Sequence, residues 1–294
     1  MKRILIVLFA ALTSCNQHKD TYDASGTFES VETIVSAQAS GAIKELNLEE
    51  GQVLQAGQTV GYIDSVQLYL KKKQLEAQIR ATLSGKPNIG AQTASLEEQL
   101  RQAKREQLRN ENLLKDDAAT KKQLDDANTQ VDVIKKQIDA LQSSLSITTA
   151  NLNDQSRPLS VQIEQTNDLL DKCRIINEVN GTVLTKYAEA SEVTDVGKPI
   201  YKIADLKTII LRAYLTGDQL PRVKIGQQVT VLVDSTKDTY KTYTGIIEWV
   251  SDKAEFTPKT IQTKDERADL VYAVKIRVAN DGFLKIGMYG EVKL

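Results

Sequence analysis

Part of this chain is written twice. Residues 35–64 and 175–206 align without a gap at a constant offset of 140: Gly41 falls on Gly181, Ile43 on Val183, Val53 on Val193, Gly57 on Gly197, Val60 on Ile200 and Ile63 on Ile203. Both copies are Val- and Ile-rich and punctuated by glycine, the pattern of short strands joined by tight turns. Glycines at equivalent places imply equivalent turns or close backbone approaches, because glycine alone takes φ > 0 at little cost. A half of about thirty residues cannot bury a core by itself, so the two halves must pack on each other. Whatever lies between them has to leave that small domain and come back. The repeat therefore demands a β-domain that carries a projection.

The intervening stretch, 65–172, reads as helices. Apolar residues at Leu124, Ala127, Val131, Ile134, Ile138, Leu141 and Leu145 are spaced alternately three and four apart, the 3.5-residue period of a coiled-coil seam, and Leu152 follows seven residues on. A weaker partner seam precedes it at Leu96, Leu100, Ala103 and Leu114, with Gln107 and Asn110 at seam positions. Lys115 to Ala119 is the expected turn, and Thr120 the expected N-cap of the returning helix. Each arm beyond residue 92 would reach roughly 36 Å at 1.5 Å per residue. Two interruptions are expected: Ser84 to Gly90, with its Gly and Pro, in the outgoing arm, and Arg157-Pro158 in the returning arm.

Residues 207–294 carry short strands: Ile209–Leu215, Val229–Val233, Tyr243–Val250, Val271–Val278 and Glu291–Leu294. This spacing predicts a small β-barrel, joined by a strand near Gly26 to Glu32. Within Val271–Val278, alternation predicts Tyr272, Val274, Ile276 and Val278 on one face and Ala273, Lys275 and Arg277 on the other.

The N-terminus is a targeting segment. Lys2 and Arg3 precede the apolar run Ile4–Leu12, too short to span a bilayer as a mature helix. Leu12-Thr13-Ser14-Cys15 resembles the lipobox of bacterial lipoproteins, which implies lipidation of Cys15 and a membrane anchor. If Cys15 is lipidated, Cys173 has no intramolecular disulfide partner, and it is expected as a small buried apolar residue. A net charge of −1 argues against a nucleic-acid partner. A single histidine, His18, and two methionines leave no metal constellation. No catalytic constellation and no cofactor site is read: Asp116-Asp117 and Asp125-Asp126 belong to a solvated helix tip.

These features together resemble the HlyD family of periplasmic adaptor subunits, or membrane fusion proteins. Ser36 to Ile43, with Gly51 and Gly57, resembles the first half of the family's lipoyl-like domain. Phe256 to Thr263 and Tyr272 to Ile276 resemble the barrel of adaptors serving ABC-type exporters, and Gly287-Met288 before the last strand is a common family ending. The resemblance implies an elongated α+β chain: a split lipoyl-like β-domain (barrel-sandwich hybrid) carrying an antiparallel α-helical coiled-coil hairpin, plus a small β-barrel. Its expected divisions are a signal peptide with lipidated Cys at 1–15, a linker at 16–25, the first barrel strand at 26–34, the lipoyl-like halves at 35–64 and 173–206, the hairpin at 65–172 and the barrel at 207–294.

At the hairpin tip, adaptors that dock on TolC-like outer-membrane channels have an Arg-x₃-Leu-x₆-Ser pattern. Arg109, Leu113 and Thr120 stand here at that spacing, with Thr in place of Ser. By this resemblance Arg109 would bond the channel's helical tips, Leu113 would fill a small pocket, and Thr120 would hydrogen-bond partner backbone. The resemblance also implies an adaptor in the periplasm of a Gram-negative envelope, lipid-anchored to the inner membrane, non-enzymatic, and a homo-oligomer, by analogy a hexamer. Its partners would be a TolC-like channel and an inner-membrane transporter. An ABC-type transporter is expected over an RND pump, whose adaptors usually carry a further domain built from both termini, while this barrel reaches Leu294. A tether between envelope layers without transport is the competing reading. A lipoyl or biotinyl carrier would need an exposed, modifiable Lys where 65–172 stands.

Overall fold

The computed structural model describes residues 22–236, 239–256 and 270–294. Cys15, His18 and positions 257–263 of the barrel motif lie outside the described residues. Two β-modules and a helical hairpin follow one another in space. The first module is a sandwich of two four-stranded sheets, β2-β9-β7-β4 and β6-β5-β3-β8. Its strands are β2 (Glu32–Ser36), β3 (Gly41–Leu46), β4 (Val53–Leu54), β5 (Thr59–Ile63), β6 (Arg174–Ile176), β7 (Gly181–Lys186), β8 (Val193–Thr194) and β9 (Pro199–Ala204). Each sheet takes strands from both copies of the repeat.

The exchange between copies is reciprocal. Gly51 N donates to Val183 O at 2.8 Å, and its twin Ser191 N donates to Ile43 O at 2.7 Å. Gly57 N donates to Asn177 O at 2.7 Å, and Gly197 N to Ala37 O at 2.8 Å. The register of β5 on β6 (Thr59↔Ile176, Gly61↔Ile175) repeats that of β9 on β2 (Pro199↔Ser36, Tyr201↔Val35). The offset of 140 is thus an internal pseudo-twofold axis. Gly57 and Gly197 share a left-handed turn, φ 84° and 86°, while Ser191 holds φ 75° where its twin Gly51 holds 85°. The core between the sheets includes Ile43, Leu54, Ile63, Val183, Ile200 and Ile203, with Cys173 buried beside them.

The same symmetry relates the two exits from the module. The hairpin leaves after Ile63, whose twin is Ile203 at the exit toward the barrel. The twin strands β5 and β9 thus lead into the hairpin and the barrel respectively. Residues 32–34, grouped by sequence with the first barrel strand, pair instead with Ala204–Lys202 of β9. Glu32 also bonds Lys202 at 2.7 Å, which places the crossing between modules at Ser30-Val31.

The second module is a closed six-stranded barrel, β10-β1-β15-β11-β12-β14, sealed by pairing of β14 with β10. It comprises β1 (Ala24–Glu29), β10 (Thr208–Thr216), β11 (Gln228–Thr236), β12 (Thr239–Val250), β14 (Leu270–Ala279) and β15 (Tyr289–Lys293), with β13 (Glu255–Phe256) added along β14. Ile209, Leu211, Ala213 and Leu215 alternate inward on β10, against Phe28, Val231 and Ile276. The expected face assignment of β14 needs correction at one end. Val274, Ile276 and Val278 point into the core, but Ala273 and Val271 are buried too, and Tyr272 is half-buried. There the register on β12 shifts between Ile247 and Trp249, Ser251 N donates to Ala273 O, and β13 pairs with Val271. Chain packs around the strand end that simple alternation leaves open to solvent.

The hairpin has three helices: α1 (Val66–Ser84) and α2 (Ile89–Lys115) outward, and α3 (Lys121–Lys172) back. The break between α1 and α2 falls at Gly85–Asn88, as Pro87 requires, and Asn88 restarts the helix by accepting from Ala91 N at 3.1 Å. The second expected interruption does not occur. Pro158 lies inside α3, which runs for 52 residues, about 78 Å at 1.5 Å per residue. Proline removes one N–H and crowds one carbonyl, and that local loss is outweighed by helical packing on both sides of it.

Candidate docking site

The tip is built by the end of α2, a five-residue connection and the start of α3. Its footing is the apolar cluster of Ala103, Val131, Ile134 and Ile138, flanked by Leu96 and Leu100. Nearer the tip the seam turns polar, and Gln107 Nε2 donates to Asn128 Oδ1 across the arms at 2.7 Å. An apolar seam tolerates sliding, whereas a paired amide bridge is satisfied in one register only, so this bond aligns the two arms.

Arg109 and Leu113 follow on α2, four residues apart and therefore on one face, about one turn from each other. Arg109 is exposed and has no ion-pair partner among the described residues; Leu113 is half-buried. The helix then ends in two backbone bonds: Ala118 N donates to Leu113 O at 2.7 Å and Asp117 N to Leu114 O at 3.2 Å. These are the paired bonds of a Schellman motif, which needs a left-handed residue, and Asp117 supplies it at φ 55°. Thr120 opens α3 through a capping box. Its hydroxyl accepts from Gln123 N at 3.3 Å, and Gln123 Oε1 accepts from Thr120 N at 2.7 Å. The Thr120 side chain stays exposed while it caps.

The structure therefore puts Arg109, Leu113 and Thr120 at one rigid end of the hairpin. The Thr-x-x-Gln signature of the capping box stands in the sequence at Thr120–Gln123 and went unread there; the role of Asp117 has no such signal, since glycine or asparagine usually fills that position. Among the described residues no His/Cys/Asp/Glu group could hold a metal ion, and no helix is long and apolar enough to cross a membrane.

Residues 31–107 match the family model of the RND MFP barrel-sandwich hybrid domain. Among solved structures, MacA from Actinobacillus actinomycetemcomitans superposes with a TM-score of 0.53 at 22% identity, over 92% of this chain and 76% of that one. A MacA-MexA chimera carrying the Pseudomonas aeruginosa MexA α-hairpin does so at 0.51 and 25% identity, over 92% and 78%. The membrane fusion protein Spr0693 of Streptococcus pneumoniae gives 0.51 at 16% identity, over 92% and 96%. These matches give the chain the fold of the membrane fusion proteins, with its sandwich, hairpin and barrel. Curated relatives include the UPF0194 membrane protein YbhG of Salmonella arizonae and of Salmonella newport, each 35% identical over 125 residues. That alignment covers 42% of this chain and spans 37% of the relatives' own length.

Proposed function

We propose that the chain is the non-enzymatic adaptor of a tripartite export system, joining an inner-membrane transporter to a TolC-like outer-membrane channel. The observation that carries this reading is the tip: an exposed arginine and a half-buried leucine on one face, beside an exposed threonine, held by a Schellman closure and a capping box. A tip so closed at both helix ends loses little conformational entropy on docking. Arg109 would bond the carbonyls or carboxylates at the channel's helix ends, Leu113 would fill a shallow apolar site, and the Thr120 methyl and hydroxyl would flank it. Lipidation of Cys15 would hold the adaptor at the inner membrane, and side-by-side copies, six by analogy, would form a ring with the hairpins as its tube.

Crosslinking in native membranes tests this. Arg109→Asp with Leu113→Ser should abolish channel capture and leave transporter capture intact, and both changes are tolerated by the fold because neither side chain is in the core. Unchanged capture of the channel overturns the docking assignment. For the transporter, the Tyr272–Ile276 resemblance favours an ABC-type partner. The RND description of the matched family model favours an RND pump as the second reading. The same crosslinked complex, identified by mass spectrometry, separates the two.

A further inference from the structure

The apolar seam that holds the hairpin together does not run its whole length. Its tip section is locked by Ala103, Val131, Ile134 and Ile138. Leu145 is the last buried apolar side chain of α3; beyond it the buried α3 residues are Ser156 and Thr166. On the outgoing side, Leu75 is the buried residue of α1, and α2 buries only Thr93 before Ala103. Between two anchored sections there is thus a level with no fully buried apolar contact.

Both arms are chemically weakened at that level. The outgoing arm breaks at Gly85–Asn88, and a methyl group placed on Gly85 would lie 3.8 Å from Leu152 Cδ1, so the break sits directly against α3. Six residues past Leu152, Pro158 withholds the N–H that the Asp154 carbonyl would otherwise receive. Around it, Thr148 and Thr149 hydroxyls donate to the Ser144 and Leu145 carbonyls at 3.0 and 2.9 Å, and Ser156 donates to Asn153 O at 2.7 Å. Such bonds compete with the helix's own ladder and favour bending. A break in one arm would be splinted by an intact, well-packed neighbour. Here the neighbour is weakened where the splint is needed.

We propose that this level, Ser84–Asn88 on the outgoing arm and Ser146–Pro158 on the returning arm, is a hinge on which the tip section swings as a unit relative to the section rooted on the sandwich. The hinge lets a rigid tip meet a partner whose distance or tilt varies, and it stands whether or not Arg109 and Leu113 are the docking residues. Hydrogen exchange on the full chain, read by mass spectrometry, tests it. Amides of 146–157 should exchange at least about tenfold faster than those of 131–141 in the same helix. Combined Gly85→Ala, Pro87→Ala and Pro158→Ala should bring the two stretches close to equal. Uniform protection across 131–157 in the unaltered chain overturns the proposal. So does fast exchange that the triple replacement leaves unchanged, because the opening would then come from elsewhere.

Discussion

A buried amide in the sandwich offers the sharpest test of how the two halves are joined. Asn177 is fully buried; its Nδ2 donates to Gln55 O at 2.8 Å and Val179 O at 2.6 Å, and its Oδ1 accepts from the Tyr201 hydroxyl at 3.0 Å. Its twin position holds Ala37, and the twin of Tyr201 is Gly61, so the pseudo-twofold does not repeat this buried polar pair. Each of these bonds contributes about 1 kcal/mol net, and a buried hydroxyl stripped of its acceptor costs about 1–3 kcal/mol. Asn177→Ala should therefore cost about 4 kcal/mol, and Tyr201→Phe alone about 1–2 kcal/mol, by leaving Asn177 Oδ1 short of a donor. The combination reverses the sign. In the Asn177→Ala background the Tyr201 hydroxyl is already orphaned, so removing it should be neutral or stabilising. Urea unfolding followed by hydrogen exchange at the β5, β6 and β9 amides reads the sandwich. The fluorescence of Trp249, the single tryptophan, which lies on β12, reads the barrel as an internal control. Equal costs for Tyr201→Phe in both backgrounds would refute the assignment of this energy to the hydrogen bond.

Other expectations follow from the same geometry. Burial pushes the Tyr201 phenol from 10.0 up to about 12. The unfolded chain ionises first, so the contribution of this group is intact below pH 10 and falls by roughly 3 kcal/mol as pH rises from 10 to 12, with Tyr201→Phe removing that part of the slope. At the tip, Thr120→Ala should lower helical stability by about 1 kcal/mol through loss of the cap, whereas Asp117→Gly should raise it by about 0.5–1 kcal/mol by relieving the left-handed side chain; thermal melts of the two variants should move in opposite directions. In the barrel, a Cβ on Gly26 would lie 1.9 Å from Arg212 O, and β1 is held on its other side by β15, so Gly26→Ala should shift the Trp249 transition to much lower urea. An unshifted transition would show that β1 is free to move off β10.

Much of the architecture was legible because its signals are local. The 3.5-residue seam of 120–145 and the Pro and Gly of 84–90 are properties of neighbouring residues, and helices form from neighbours. The spacing of Arg109, Leu113 and Thr120 was likewise visible, although that these residues share one closed tip became clear only from the Asp117 turn and the Gln123 box. Pro158 shows the limit. Its propensity argues for an end, yet α3 continues, because helix propagation and packing on each side outweigh one missing hydrogen bond.

By itself, the sequence determined that two similar β-halves must share a core and that a helical hairpin must stand between them. Tertiary structure alone decided how the halves meet: β4 crosses to β7, β3 to β8, and β5 to β6, each contact mirrored at an offset of 140. It also decided that Asn177 and Tyr201 form a buried polar bridge that the mirror does not repeat, and that Ala273 is buried on a face where alternation predicts solvent. The physical reason is common to all three. Strand pairing, the satisfaction of a buried amide and the covering of a strand's outer face depend on residues far apart in the chain, and periodicity within one segment carries no record of what will be folded against it.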